Sequence, residues 1–267
     1  MTTHRLAGPA GPPPSPPRYA IYWAPPGHSP LARLGNAWLG CSGAPDARTD
    51  GLPPRPAVTG FTREQLESLT AEPRRYALHG TLKPPFALAD GRDVESLCAD
   101  LARFASSQPP FIMPRLRLKP IGRRFLALIP SAPCPPLDAL ASRCVMDFDP
   151  YRRAASASEL SRRRAGGLDA VEESNLLRWG YPYLLDRFRF HVTLTGPLDG
   201  ASLERLQPPL AALFAPVTVA PVPVEDIALF IEPAPGQPFT LAKRFALTGQ
   251  GSRWEHADNP GRRLGTP

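Results

Sequence analysis

Residues 79–86 read HGTLKPPF and residues 191–198 read HVTLTGPL. Both follow H-x-T-L-x-x-P and then a large apolar residue, and together they hold two of the five histidines in the chain. Their surroundings repeat as well. The first copy lies in RRYALHGTL, which reads as a strand. It is followed by DVESLCADLARFASS (93–107), apolar at helical spacing, then FIMPRLRLKPI (111–121), a strand with an edge-type proline, and RRFLALIP (123–130), its hairpin partner. The second copy lies in FRFHVTLTG, again a strand. After it come ASLERLQPPLAALF (201–214), a helix broken or started by its prolines, VPVEDIALFIEP (222–233), a strand, and PFTLAKRFALTG (238–249), its hairpin partner across the loop APGQ. One order of elements, opened twice by one motif, signals an internal duplication.

The expected fold class is therefore α+β. Two pseudo-symmetric lobes, units of about 74–130 and 187–249, carry small, mainly antiparallel sheets with helices outside and a cleft between them. PLDALASRCVMDFD, SASELSRRRAGG and VEESNLLRWGYPYLLDRF predict a helical connection over about 136–186. Upstream, RYAIYWAPP (18–26) reads as a strand. LARLGNAWLG (31–40) and FTREQLESL (61–69) read as helices, the second with Thr62 as N-cap. Residues 1–17 are too rich in Pro and Gly to pack, and 250–267 read as a flexible tail, which leaves 18–249 as a single bilobal domain.

With 42% hydrophobic residues the chain can build a sizeable core. The 37 prolines and abundant Ala, Arg and Gly reflect base composition of a high-GC bacterial genome and carry no functional reading. The net charge of +7 is almost all arginine, since lysine occurs only at 83, 119 and 243. That balance favours an anionic partner, although the short runs Arg74-Arg75, Arg123-Arg124, Arg152-Arg153 and Arg162-Arg163-Arg164 read as solvated surface. Cys41, Cys98, Cys134 and Cys144 form no C-x-x-C pair and no zinc spacing, so a reduced thiol set is expected. No run approaches ~18 apolar residues and the N-terminus has no apolar h-region. A cytoplasmic protein with no membrane partner, acting as a monomer, is expected.

On a strand, residues i, i+2 and i+4 share a face. His79, Thr81 and Lys83 thus point one way, as do His191, Thr193 and Thr195, with Arg75 and Arg189 in phase. Imidazole exchanges protons near neutral pH, and two across a cleft can serve as base and acid. Hydroxyls beside them can donate to non-bridging phosphate oxygens, and a nearby cation can offset charge. The constellation suits in-line attack on a phosphodiester.

The duplicated motifs resemble the 2H phosphoesterase superfamily. RYAIYWAPP, LGNAWLG, RRYALHGTLKPPF, RWGYPYLLDRFRFHVTLTG and LFIEPAPGQPF together resemble an uncharacterised branch of it, encoded near bacterial phosphonate-degradation genes. The resemblance covers about residues 18–248. It implies metal-independent action on a cyclic or 2′-linked phosphodiester, with His79 and His191 catalytic, Thr81 and Thr193 on the phosphate, and no cofactor or metal. Gly80 stands where relatives often have a larger residue. Lys83, Arg75, Arg189, Tyr22, Tyr76 and Tyr183 are proposed as supporting contacts to a small phosphorylated substrate. In a phosphonate setting that substrate is a sugar cyclic phosphate, such as a ribose 1,2-cyclic phosphate; a nucleoside 2′,3′-cyclic phosphate or an RNA 2′-linkage is the rival.

Other chemistries fit less well. Neither histidine has an H-x-H, H-E-x-x-H or close carboxylate to make a metal site, and threonine is a poor zinc ligand. GCSGA (40–44) lacks the G-x-S-x-G frame, and no P-loop or dinucleotide fingerprint is present. A non-catalytic protein that binds a nucleotide or RNA end is the remaining alternative, though dense aromatic and basic interleaving is missing.

Overall fold

The structure, a computed structural model, describes residues 16–41, 53–122 and 124–250. The lead-in and tail expected at 1–17 and 250–267 lie outside these residues, apart from 16, 17 and 250.

Strand β1 (Arg18–Trp23) alternates Ala20 and Tyr22 on one face with Ile21 and Trp23 on the other. Helix α1 (Pro30–Leu39) starts where Ser29 caps the Ala32 amide and stops at Gly40, whose φ of 72° suits the left-handed C-cap. Arg74 and Arg55 donate to the carbonyl of Leu39, satisfying the end of that helix. Thr62 caps α2 (Arg63–Leu69) through a capping box with Gln65. A single helical turn, α3 (Ala71–Arg74), precedes β2 (Gly80–Phe86).

Asp93 caps α4 (Val94–Ser107) through the Ser96 amide. Pro114 splits the next strand into β3 (Phe111–Met113) and β4 (Leu116–Ile121), and β4 pairs in a hairpin with β5 (Phe125–Pro130). The helical connection consists of α5 (Pro135–Asp147), α6 (Ala157–Arg164) and α7 (Ala170–Trp179). Then follow β6 (Val192–Thr193), α8 (Gly200–Phe214), β7 (Val222–Val224), β8 (Asp226–Glu232) and β9 (Thr240–Ala246).

Both motif strands are shorter than expected at their outer ends. RRYALHGTL does not run as one strand, because Arg74 bonds back to Thr70 as a helix and Ala77, at φ 56°, turns the chain before Gly80. FRFHVTLTG keeps only Val192–Thr193 as strand. The amides of Leu194 and Thr195 both reach the Leu126 carbonyl, while the Thr195 hydroxyl accepts from the Leu126 amide, so the ladder ends in a bulge and Thr195 is buried. Helix α8 is not broken at its prolines. Pro208 and Pro209 lie inside it, and Leu206, Leu210 and Phe214 are buried along its core face.

Two separate sheets were expected; one continuous seven-stranded sheet forms instead, in the order β4-β5-β6-β2-β1-β8-β9. The two motif strands pair with each other, Gly80 opposite Val192, and this joins the halves. The hairpin that follows the first motif in sequence lies beside the second motif, Leu128 opposite Val192. The hairpin that follows the second motif lies on β1, next to the first. Strands β3 and β7, which precede the two hairpins, also pair, Ile112 opposite Pro223. The two motif strands are thus related by the local two-fold axis of an antiparallel pair, and each hairpin lies on the other half's side of the sheet.

The faces of the sheet differ. Ile21, Trp23, Leu82, Leu126, Leu128, Val192 and Leu229 point into the main core, shared with α4, α5 and α8. The other face is covered by a smaller cluster in which Ala20, Ala24, Ala77 and Ala228 surround Tyr22, Phe230 and Phe239. All seven of these residues are buried.

Candidate active site

In an antiparallel pair, residues opposite one another share a face. With Gly80 opposite Val192, continuing the register one residue each way sets His79 level with Thr193 and Thr81 level with His191. Val192 belongs to the core face, as would a Cβ at Gly80, so the two histidines and two threonines occupy the opposite one. All four are half-buried. The histidines are diagonal neighbours, a relation that places such residues about 7–8 Å apart. His79 senses the charge of His191.

The same device orients each ring. His79 Nδ1 lies 3.0 Å from the Ala77 carbonyl and His191 Nδ1 lies 2.7 Å from the Arg189 carbonyl. A carbonyl only accepts, so Nδ1 carries the proton in both rings and each Nε2 is left free. Neither threonine hydroxyl has a protein hydrogen-bond partner among the described residues, so both are available to a ligand.

The two histidines differ in surroundings. Tyr22, opposite Thr81 on β1, stacks on His79 with ring centroids 3.9 Å apart, and Tyr76 lies tilted at 6.1 Å. Among the described residues the one ring beside His191 is Phe125, tilted at 5.8 Å. Burial lowers the His79 pKa from 6.5 to about 4, with His191 adding to the fall and the Ala77 carbonyl opposing it. Burial also lowers His191, against the Arg189 carbonyl. Both rings are thus held neutral near pH 7, and burial drives the Tyr22 phenol well above its usual pKa.

Gly80 is required by packing. A Cβ there would meet the Phe190 ring at 2.2 Å, and Phe190 in turn packs edge-on against Trp23 at 5.7 Å. Phe190 fills the space that a larger residue at position 80 would occupy.

The supporting residues divide. Tyr22 and Tyr76 lie against His79. Arg75 donates to Glu232 at 3.4 Å and covers the Tyr76 ring at 5.8 Å. Arg189 is exposed, and its backbone carbonyl, not its side chain, serves the site. Tyr183 is 49% exposed and packs edge-on against Tyr181. Lys83 does not share the Thr81 face. A register shift sets Thr81 opposite Tyr22 but Lys83 opposite Ile21, and the lysine is buried, donating to the Val145 carbonyl at 2.9 Å with Asp149 at 3.7 Å.

Sequence reading missed Glu232, Arg18, Tyr181 and Arg163. Fully buried Glu232 accepts from Arg18 at 2.5 Å and from the Gly236 amide at 3.0 Å. Its signal was a carboxylate inside the apolar run ALFIEP, directly across the sheet from Arg18. Arg163, expected on solvated surface, lies over the Tyr181 ring at 4.8 Å. Among the described residues no group of three or more His, Cys, Asp or Glu side chains could hold a metal ion, and no helix is long and apolar enough to cross a membrane.

A family model described as "Protein of unknown function (DUF1045)" matches residues 81–240. A protein named ribose 1,5-bisphosphate phosphokinase PhnN from Janthinobacterium sp. (strain Marseille) is 36% identical over 240 residues, which cover 88% of this chain and 52% of that protein. A protein of the same name from Laribacter hongkongensis (strain HLHK9) is 34% identical, covering 88% and 53%. The chain therefore spans about half the length of these curated relatives. Among solved structures, E. coli LigT complexed with NADP+ aligns at 19% identity and a TM-score of 0.39, over 87% of this chain and 98% of that one. A structure described as a phosphoesterase aligns at 19% identity and 0.41, over 87% and 99%.

Proposed function

The chain belongs to the DUF1045 family, and we propose that it is a metal-independent phosphodiesterase that opens a cyclic phosphodiester with His79 and His191 as general base and general acid. The observation that carries this is the central strand pair: Gly80 opposite Val192 sets two imidazoles and two unpartnered hydroxyls on one face, related by a two-fold axis. A phosphate on that axis meets Thr81 and Thr193 through its non-bridging oxygens, with an Nε2 on either side in line with the bonds made and broken.

His79 is the better base for hydrolysis. It is the more deeply desolvated ring, stacked on Tyr22. Its neutral Nε2 takes a proton from water while the water oxygen attacks phosphorus. Protonated His191 gives its Nε2 proton to the departing ester oxygen, so the ring opens to a phosphomonoester. In the reverse direction the roles exchange.

The substrate best supported is a sugar cyclic phosphate arising in phosphonate breakdown. The curated relatives bear a name that refers to ribose phosphates. Their phosphokinase activity is not proposed here, because this chain covers half of their length and contains no G-x-x-x-x-G-K-[ST] frame.

A phosphorus NMR screen of sugar and nucleoside cyclic phosphates against the wild type and the His79→Ala/His191→Ala double variant tests the proposal. Ring opening by the wild type, unaffected by EDTA and slowed about 10²–10⁴-fold by either single substitution, is expected. Turnover that survives both single substitutions, or that chelation abolishes, refutes it. Preferred turnover of nucleoside 2′,3′-cyclic phosphates moves the substrate to RNA ends, and tight binding with no product makes the protein a binder.

A further inference from the structure

Cations outnumber acids along one side of the His79 ring. Arg18 and Arg75 share the single buried carboxylate of Glu232. The Nε of Arg75 is buried without a hydrogen-bond partner, a state whose cost a bound acceptor removes. Of the run Arg162-Arg163-Arg164, Arg164 pairs with Glu173 at 2.5 Å, whereas Arg163 turns onto Tyr181 and forms no ion pair or hydrogen bond among the described residues. Its nearest acid, Glu159, is held by Arg153 and by the Ser156 amide. Arg163 is near enough to Arg18 for their charges to repel, Tyr76 is near enough to Tyr181 to help raise the pKa of Tyr181, and Tyr181 does the same to Tyr22. Tyr22, Tyr76 and Tyr181 thus lie between His79 and an arginine that forms no ion pair among the described residues.

Arg163 and Tyr181 line a small cleft together with Lys83, Arg152, Pro84 and Pro85, the two prolines lying three and four residues beyond Thr81, or about 10 Å at strand rise. We propose that Arg163, with Arg18, forms a second anion subsite, so that the substrate is a cyclic phosphodiester carrying a further phosphomonoester about one pentose away from the reacting phosphorus. The inference deepens the phosphodiesterase reading and rests on it for the position of the reacting phosphate. Guanidinium groups backed by aromatic rings suit a terminal phosphate, because the ring leaves the N–H edges free to donate.

Two measurements test it. In the first, kinetics of wild type, Arg163→Gln and Arg163→Lys are compared on a ribose cyclic phosphate with and without a 5-phosphate. Arg163→Gln is expected to raise KM at least tenfold for the 5-phosphorylated compound and less than twofold for the other, with kcat unchanged and partial rescue by Arg163→Lys. Equal effects on both compounds, or no effect on either, overturn the proposal. In the second, calorimetry measures ribose 5-phosphate binding to the His79→Ala/His191→Ala protein with and without Arg163→Gln, independently of turnover. Binding that requires Arg163 supports the subsite even if no cyclic phosphate is hydrolysed, and binding indifferent to Arg163 overturns it even if hydrolysis is confirmed.

Discussion

At the scale of single residues, a backbone carbonyl two positions upstream fixes the proton on Nδ1 of each histidine, so the titration that matters occurs at Nε2. On the proposed roles a neutral His79 and a protonated His191 are needed, so kcat/KM should rise with pH through the pKa of His79, about 4, and fall through that of His191, which burial lowers from its usual value. The expected profile is a bell with an acidic optimum. A plateau extending above pH 7.5 contradicts the assigned roles. The motif made the four site residues legible, because strand alternation alone puts His79 with Thr81 and His191 with Thr193. Lys83 was misplaced for a local reason, since the irregularity between Thr81 and Lys83 breaks the two-residue alternation. Lys83→Met should therefore leave kcat/KM for a cyclic phosphate without a second phosphate within about twofold, because the ammonium is held on the core side by the Val145 carbonyl and Asp149. Burial lowers the Lys83 pKa to about 8 from 10.5. The unfolded chain thus holds the proton more tightly than the folded one, and wild-type stability rises between those pH values. Urea unfolding of the variant should show no such rise.

At the scale of elements, the caps were plain in the sequence. Thr62 with Gln65 is a two-way signal that needs no tertiary context, and α2 starts where it says. Helix α8 shows where local rules lose. Pro208 and Pro209 remove the bonds their amides would make to the Glu204 and Arg205 carbonyls, at about 3 kcal/mol per interior proline. Burial of Leu206, Leu210 and Phe214, at about 1.5–3 kcal/mol each, offsets that and keeps one helix. Pro208→Ala restores one amide donor at an exposed position. It should raise stability by about 1 kcal/mol, some 2–4 °C in Tm by differential scanning calorimetry, after the entropy that proline removes from the unfolded chain is subtracted.

At the scale of the whole molecule, the duplication was readable but its assembly was not. Sequence order suggests that each hairpin joins the motif strand before it; which edge it joins is a tertiary choice, and here each hairpin joins the other half. The first half alone leaves β5 without β6, exposing Ala127 and Leu128 at an open edge. The chain should accordingly unfold in one cooperative step, with fluorescence of Trp23 and Trp38 and far-UV circular dichroism tracing coincident urea transitions. A fragment of residues 18–134 should show no cooperative transition. Separate transitions for the two halves would contradict the shared sheet.

The axis through Gly80 and Val192 also bears on product identity. A cyclic phosphodiester offers two ester oxygens as leaving group, and a site with perfect two-fold symmetry presents the same groups to each, so it has no regioselectivity. Discrimination has to come from what departs from the axis: the Tyr22 ring over one histidine, the turned Ala77 near it, and Arg18 and Arg75 on Glu232. On the proposed chemistry, the duplicated motif supplies the bond-breaking power and these unduplicated residues decide which of two isomeric monoesters is released.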